Sequence, residues 1–183
     1  MRFAVLSDIH ANLDALEAVL ADLAPLNLEA VYSLGDTIGY GAQPDEVVAR
    51  LAAEGIPSVL GNHELAVLHP AELEWFNPIA RESLERTMDM LSEASRDRIR
   101  EFPRFAVHHG CRMVHGFPPD SPLIYQFQVA REEIRAAAEA LPERLCFTGH
   151  THFPEIITSA AGDVQRQDFP PEILALDPEA FHI

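Results

Sequence analysis

Apolar and polar positions follow one another in blocks along this chain, and the blocks predict a β-α-β-α-β opening. "RFAVLS" is a short apolar run closed by a polar loop, the pattern of a buried strand. In "NLDALEAVLADLA", Leu13, Leu16, Val19, Leu20 and Leu23 recur at helical spacing behind Asn12, a residue type that caps helices. "EAVYSL" predicts a second strand. "QPDEVVARLAAEG" predicts a second helix, with Pro44 in its first turn and Gly55 at its end. "IPSVL" predicts a third strand. Such alternation implies a mostly parallel sheet with covering helices.

The middle of the chain changes period. "NPIARESLERTMDMLSEASRDRIREF" keeps helical spacing with no strand, and it predicts two helices broken near Ser92. "PRFAVHH" and "RMVHG" then predict two strands joined through Gly110, "QVAREEIRAAAEALP" a helix and "RLCFTG" a strand. "PEIITSAAGDVQRQ" predicts a hairpin turning at Gly162. "EILALDPEAFHI" predicts one more short strand and then an incomplete one, so that His182 is expected to be unstructured.

Composition narrows the partners. The 183 residues are 48% hydrophobic, enough for a sizeable core. A net charge of -16 argues against a nucleic-acid duplex, whose binders present a basic face. Small anionic substrates stay open, because bound cations invert a local field. No run of about 18 apolar residues predicts a membrane span. "MRFAVLSDIH" lacks the long apolar region of a signal peptide. Two cysteines, Cys111 and Cys146, are too few for a disulfide framework, so a reducing, cytoplasmic setting is expected.

Chemistry concentrates where the predicted strands end. They run into "SDIH", "GDTIGYG", "GNHE", "VHG" and "GHTH". In open α/β sheets ligands bind at the carboxyl ends of strands, so these clusters are predicted on one rim. Asp8, His10, Asp36, Asn62, His115, His150 and His152 offer carboxylates, an amide oxygen and imidazoles, a set suited to Mn, Fe or Zn. Seven ligands are many for one ion with open positions. They suffice for two ions sharing a carboxylate, an arrangement that suits in-line displacement at phosphorus. Singly, each residue has a plainer explanation: a turn aspartate, a packed histidine.

In this order the five motifs, spread over residues 2–155, resemble the calcineurin-like metallophosphoesterase family, and within it the small bacterial and archaeal phosphodiesterases. The resemblance implies an α/β fold of two mixed sheets packed as a sandwich and flanked by helices. It implies a single domain over residues 1–183, with a helical excursion at about 64–102. It implies that Asp8, His10 and His152 hold one ion, that Asn62, His115 and His150 hold the other, and that Asp36 bridges them. The ions would be divalent transition metals, manganese first, with Fe, Zn, Ni or Co as substitutes. A hydroxide shared by them would attack phosphorus while His63 assists the leaving group, and Glu64 could orient His63. The expected partner is a small phosphoester, with a diester favoured over a monoester. A phosphomonoesterase acting on a nucleotide or a protein, and a metal-binding regulatory module without turnover, are the alternatives.

Other histidines and aromatics compete for roles. His108 and His109 in "VHHG" rival His115, which is preferred because its strand leads into a turn as in the family. His69 is expected to be a surface or cap residue. Trp75, Phe76 and Phe117 are expected to pack the excursion rather than line a substrate pocket, and Tyr40 either touches substrate or packs. Two features depart from the family. Ala11 stands where many relatives have glycine, which matters if that position needs a positive φ. The C-terminal strands are shortened, which is expected to leave a sheet edge for another copy to cover in a homo-oligomer.

Overall fold

The computed structural model describes residues 1–169 and 173–183. Strand β1 (Phe3–Leu6) and β2 (Ala30–Ser33) pair in parallel, with Phe3 opposite Ala30 and Leu6 opposite Ser33. Helix α1 (Leu13–Leu23) joins them, and Asn12 Oδ1 accepts from Ala15 N at 3.0 Å to cap it. Helix α2 (Pro44–Ala53) follows β2. Leu16, Val47 and Leu51 pack on Leu6 and Val31, so both helices cover one face of this pair.

The predicted third strand shrinks to a single bridge between Ser33 and Ser58. Ser33 N donates to Pro57 O at 2.9 Å, and Val59 N donates to Ser33 O at 3.1 Å. Pro57 has no N–H to extend the ladder, so "IPSVL" keeps the position of a strand without its pairing.

The helical excursion consists of α3 (Asn62–Leu68), a 3₁₀ turn (Pro70–Trp75), α4 (Pro78–Met90) and α5 (Glu93–Arg100). The break falls at Ser92, whose Oγ accepts from Ser95 N at 3.2 Å. Ser92 also donates its N–H and its hydroxyl to Asp45 Oδ1, at 2.9 and 2.8 Å, which ties the excursion to α2. Ala66, Val67, Leu84, Leu91 and Ile99 bury themselves against Ile38 and Val48.

The larger sheet contains β3 (Phe105–His108), β4 (Cys111–Val114), β5 (Leu145–Phe147), β6 (Glu155–Ala160), β7 (Asp163–Asp168) and β8 (Phe181–His182). Their spatial order is β3-β4-β5-β8-β6-β7, with β4 parallel to β5 and β6 antiparallel to β7. Two hairpins turn through His109-Gly110 and Ala161-Gly162, and all four residues have positive φ. That combination matches the twist of the flanking strands. Tyr32, Leu34 and Val59 meet Met113, Ala106 and Phe147 between the two sheets, which makes the sandwich. Helix α6 (Arg131–Ala140) closes the far face with Ile134, Ala137 and Ala138.

The C-terminus departs from expectation. The strand predicted in "EILALD" begins at Glu172, outside the described residues, and 173–177 carry no strand. His182 is ordered and buried: its Nε2 lies 2.9 Å from Asp177 O and its Nδ1 3.1 Å from Thr158 Oγ1. Strand β8 sits inside the sheet, parallel to β5 and antiparallel to β6. The tail therefore leaves no open edge of its own, and among the described residues β3 and β7 are the edges of the sheet. A cavity of about 480 Å³ lies beside β8, against Cys146, Phe147, Ile156, Leu174 and Ile183.

Candidate metal centre

The loops after β1, β2, β4 and β5 and the start of α3 converge on one rim. Backbone bonds knit them together: His10 N donates to Asp36 O at 2.9 Å, and Gly149 N donates to His115 O at 2.8 Å. Asp8, His10, Ala11, Asp36, Tyr40, His150 and His152 all have φ between 48° and 69°. That left-handed region is unfavourable for side-chain-bearing residues, and its concentration here marks backbone bent to aim side chains. Ala11 therefore does sit where a positive φ is required.

All seven proposed ligands come together. Asp8, His10 and His152 form one group of mutually close donor atoms, and Asp36, His115 and His150 form another. Asp36 reaches both: its Oδ2 is 3.8 Å from His10 Nε2 and 3.2 Å from His115 Nε2. The Asn62 amide terminus lies 3.0 Å from Asp36 Oδ2, from His115 Nε2 and from His150 Nδ1. His63 joins through its Nε2, 3.9 Å from Asp36 Oδ2. His108 and His109 lie elsewhere, against Tyr32: the His108 ring stacks on it at 4.4 Å and His109 Nε2 meets its hydroxyl at 2.8 Å. His69 is an exposed cap at the end of α3.

The hydrogen-bond pattern tests whether cations fit. His10 Nδ1 lies 3.1 Å from Ile38 O, His115 Nδ1 2.8 Å from Leu34 O and His150 Nε2 3.2 Å from Leu123 O. Each contact requires a proton on that nitrogen, so in the neutral ring the other nitrogen carries a lone pair. Those lone pairs point at carboxylates and at each other: His10 Nε2 and His152 Nε2 are 3.1 Å apart. Acceptors crowded together repel unless a proton or a cation lies among them. Imidazoles oriented by carbonyls are also the usual arrangement around a bound metal. With its oxygen turned inward, Asn62 completes a mixed N/O set that suits a divalent transition ion.

Electrostatics agree. Burial lowers His63 and His150 to about 4 each. Burial also opposes charge on His115, but Asp36 outweighs it and lifts the imidazole to about 9. Burial likewise works against ionised Asp36, yet His115 and His63 hold its carboxyl below the usual range.

Glu64 departs from its expected role. It does not orient His63, whose Nδ1 has no partner among the described residues. Its oxygens instead accept from Asp36 N (2.9 Å), Thr37 N (2.7 Å), Thr37 Oγ1 (2.8 Å), Ile38 N (3.3 Å) and Gly61 N (2.9 Å). Burial and Asp36 push its carboxyl up while Thr37 pulls it down. Five donors around one side chain are the surroundings of a carboxylate, which here staples the second motif to the third. Two glycines make room. A Cβ on Gly39 (φ +86°) would fall 2.0 Å from His63 Nδ1, and one on Gly61 would fall 2.2 Å from Asp36 Oδ1.

The wall of the site holds residues the sequence pattern did not single out. A cavity of about 830 Å³ opens over the centre, lined by Tyr40, Trp75, Phe76, Tyr125 and Phe127 among others. Phe117 packs in the core under α6 rather than against the excursion, whereas Phe76 packs on the excursion and also lines the cavity, against the expectation for both. Trp75 is 82% exposed rather than packed into the excursion's core. Tyr125 and Phe127 come from "IYQFQ", an apolar-polar alternation that no predicted element claimed.

A model of the calcineurin-like phosphoesterase superfamily domain matches residues 1–169. The crystal structure of a metallophosphoesterase from Sphaerobacter thermophilus superposes with a TM-score of 0.69 at 36% identity, covering 86% of this chain and 63% of that one. An uncharacterized protein of Methanocaldococcus jannaschii is 46% identical over 74 residues, 40% of this chain and 30% of its own length. This chain thus spans less than two thirds of the length of either relative.

Proposed function

Because this chain belongs to the calcineurin-like phosphoesterase superfamily, we propose that it is a metal-dependent phosphoesterase that prefers diesters. The observation that carries the reading is the convergence of bare imidazole nitrogens on Asp36 and Asn62. Two bound divalent ions, manganese first, would activate water and offset charge developing at phosphorus. Asp8, His10 and His152 would hold one ion, Asn62, His115 and His150 the other, with Asp36 between them. Backbone carbonyls keep the three buried imidazoles oriented, so no side chain must reorganise as substrate enters. In this reading His63 Nε2 offers a hydrogen bond to the departing ester oxygen as charge develops on it.

Preference for a diester is supported by the cavity's charge. Among the described residues no arginine lines it, and the chain has no lysine. A monoester dianion would rely on the ions alone, whereas a diester brings one negative charge and two organic arms. Two free thiols, Cys111 and Cys146, support a reducing, cytoplasmic setting. No helix among the described residues is long and apolar enough to cross a membrane. Exposed Phe169, Ile173 and Leu174 on the cavity beside β8 support association of copies, which sedimentation would detect.

The test is hydrolysis of bis-p-nitrophenyl phosphate by protein stripped with chelator and resupplied with manganese. Turnover restored by metal and abolished in Asp36→Asn is expected. The monoester p-nitrophenyl phosphate is expected to react at least about tenfold more slowly, an activation difference of roughly 1.4 kcal/mol. Metal binding with no turnover on either ester would overturn the reading.

A further inference from the structure

The cavity above the candidate metal centre is larger than a phosphoryl group needs, and its mouth is aromatic. At about 830 Å³ it has the size of a site for a whole small molecule. Trp75 and Phe127, 82% and 63% exposed, both line it. Neither ring contributes to a core, and each is carried by a braced turn.

Phe127 belongs to a pile of three rings. It stacks on Tyr125 with centroids 4.9 Å apart and planes at 25°. Tyr125 stacks in turn on His150 at 3.7 Å and 18°. The pile runs from a candidate metal ligand outward to the mouth and leaves an aromatic face uncovered. Trp75 ends the 3₁₀ turn of the excursion. Arg81 fastens that turn, donating from Nε to Leu73 O at 3.0 Å and from a terminal nitrogen to Glu74 O at 3.2 Å. The next residue, Phe76, sits edge-on to His63 at 5.2 Å. The Phe127 ring is therefore braced by its stacking partner and the backbone that carries Trp75 is fastened before any ligand arrives, which lowers the entropy lost on binding.

Preformed aromatic faces beside a phosphoester centre suit one kind of ligand arm, a planar aromatic ring. Stacking on such faces tolerates any base, because every base has a π-face. Among the described residues the lining carries no arginine, which disfavours a polyphosphate chain. We propose that Trp75 and Phe127 are specificity-determining walls that select phosphodiesters bearing a nucleobase on one arm. The proposal rests on the phosphoesterase reading of the centre between them.

The kinetic test uses two chromogenic diesters with the same leaving group, thymidine 5′-(p-nitrophenyl phosphate) and methyl p-nitrophenyl phosphate. With manganese-loaded protein, KM for the nucleoside ester is expected to be lower by about tenfold or more, the size of a stacking contact. That ratio is expected to collapse toward one in Trp75→Ala and Phe127→Ala. It is expected to persist in Phe169→Ala, an exposed aromatic outside this cavity. Both wall residues are largely exposed, so these variants should fold.

A binding readout separates this proposal from the one beneath it. Trp75 is the single tryptophan of the chain, so its fluorescence reports the wall directly. Adenosine 5′-monophosphate is expected to quench it saturably, and ribose 5-phosphate is not. Turnover of the methyl ester with equal KM values and no selective quenching would overturn the walls and leave the phosphoesterase reading standing. Selective quenching without turnover of either ester would do the reverse.

Discussion

The floor and the mouth of the site are built on opposite terms. On the floor, Asp36, Asn62, His63, His115 and His150 are buried, and their loops are tied to one another by backbone bonds and by the Glu64 carboxylate. At the mouth, Trp75, Phe127 and Tyr40 are more than half exposed. The floor must place charge within tenths of an ångström, which requires fixed polar contacts in a dry setting. The mouth has only to offer surface. The comparison predicts that floor substitutions strike turnover and stability together, while mouth substitutions strike substrate choice alone.

The largest effect is expected from Asp36→Asn. It removes the charge shared by both ligand groups, and turnover should fall by about a thousandfold or more, measured with manganese in excess. Next comes Glu64→Gln. Its new amide group would face backbone donors, leaving at least one of them unsatisfied at about 3 kcal/mol, a loss of roughly 10 °C in Tm by calorimetry. An unchanged melting temperature would contradict the stapling role. Gly39→Ala would push a methyl into His63 at a positive φ. An expected cost of about 2 kcal/mol should accompany slower turnover with metal binding intact, seen by titration calorimetry.

Trp75→Ala sharpens the contrast from the other side. Its stability should stay within about 0.5 kcal/mol of the parent in urea unfolding, because an exposed ring has little burial to lose. The smallest effect is expected from Ala11→Gly, where relief of the left-handed backbone offsets the lost methyl and the added freedom of the unfolded chain. A change of more than about 1 kcal/mol in either direction would show that the bend at Ala11 is not held as inferred.

Much of this could be read from one dimension. The helical spacing of Leu13 to Leu23 and the break at Ser92 report local forces, and both appear in the fold. The seven candidate ligands were legible because each follows a strand or opens a helix, where the chain is free to bend. Glu64 was misread because adjacency in "GNHE" suggests adjacency in space, yet on helix α3 its side chain leaves His63 and reaches back to residues 36–38. The tail was misread because pairing partners for Phe181 and His182 are supplied by β5 and β6, some 20 to 40 residues away.

By itself the sequence determined the alternation of strands and helices and the candidate metal-binding character of the strand ends. These follow from side-chain chemistry and from periods of two and 3.6 residues, which act over a few positions. Only the tertiary structure decided that "IPSVL" stops at one bridge, that the C-terminus lies inside the larger sheet, that Glu64 serves the loops and that Trp75 faces the cavity. Each of those depends on which distant backbone group or ring fills a neighbouring space, and packing selects that neighbour only when the whole chain has closed.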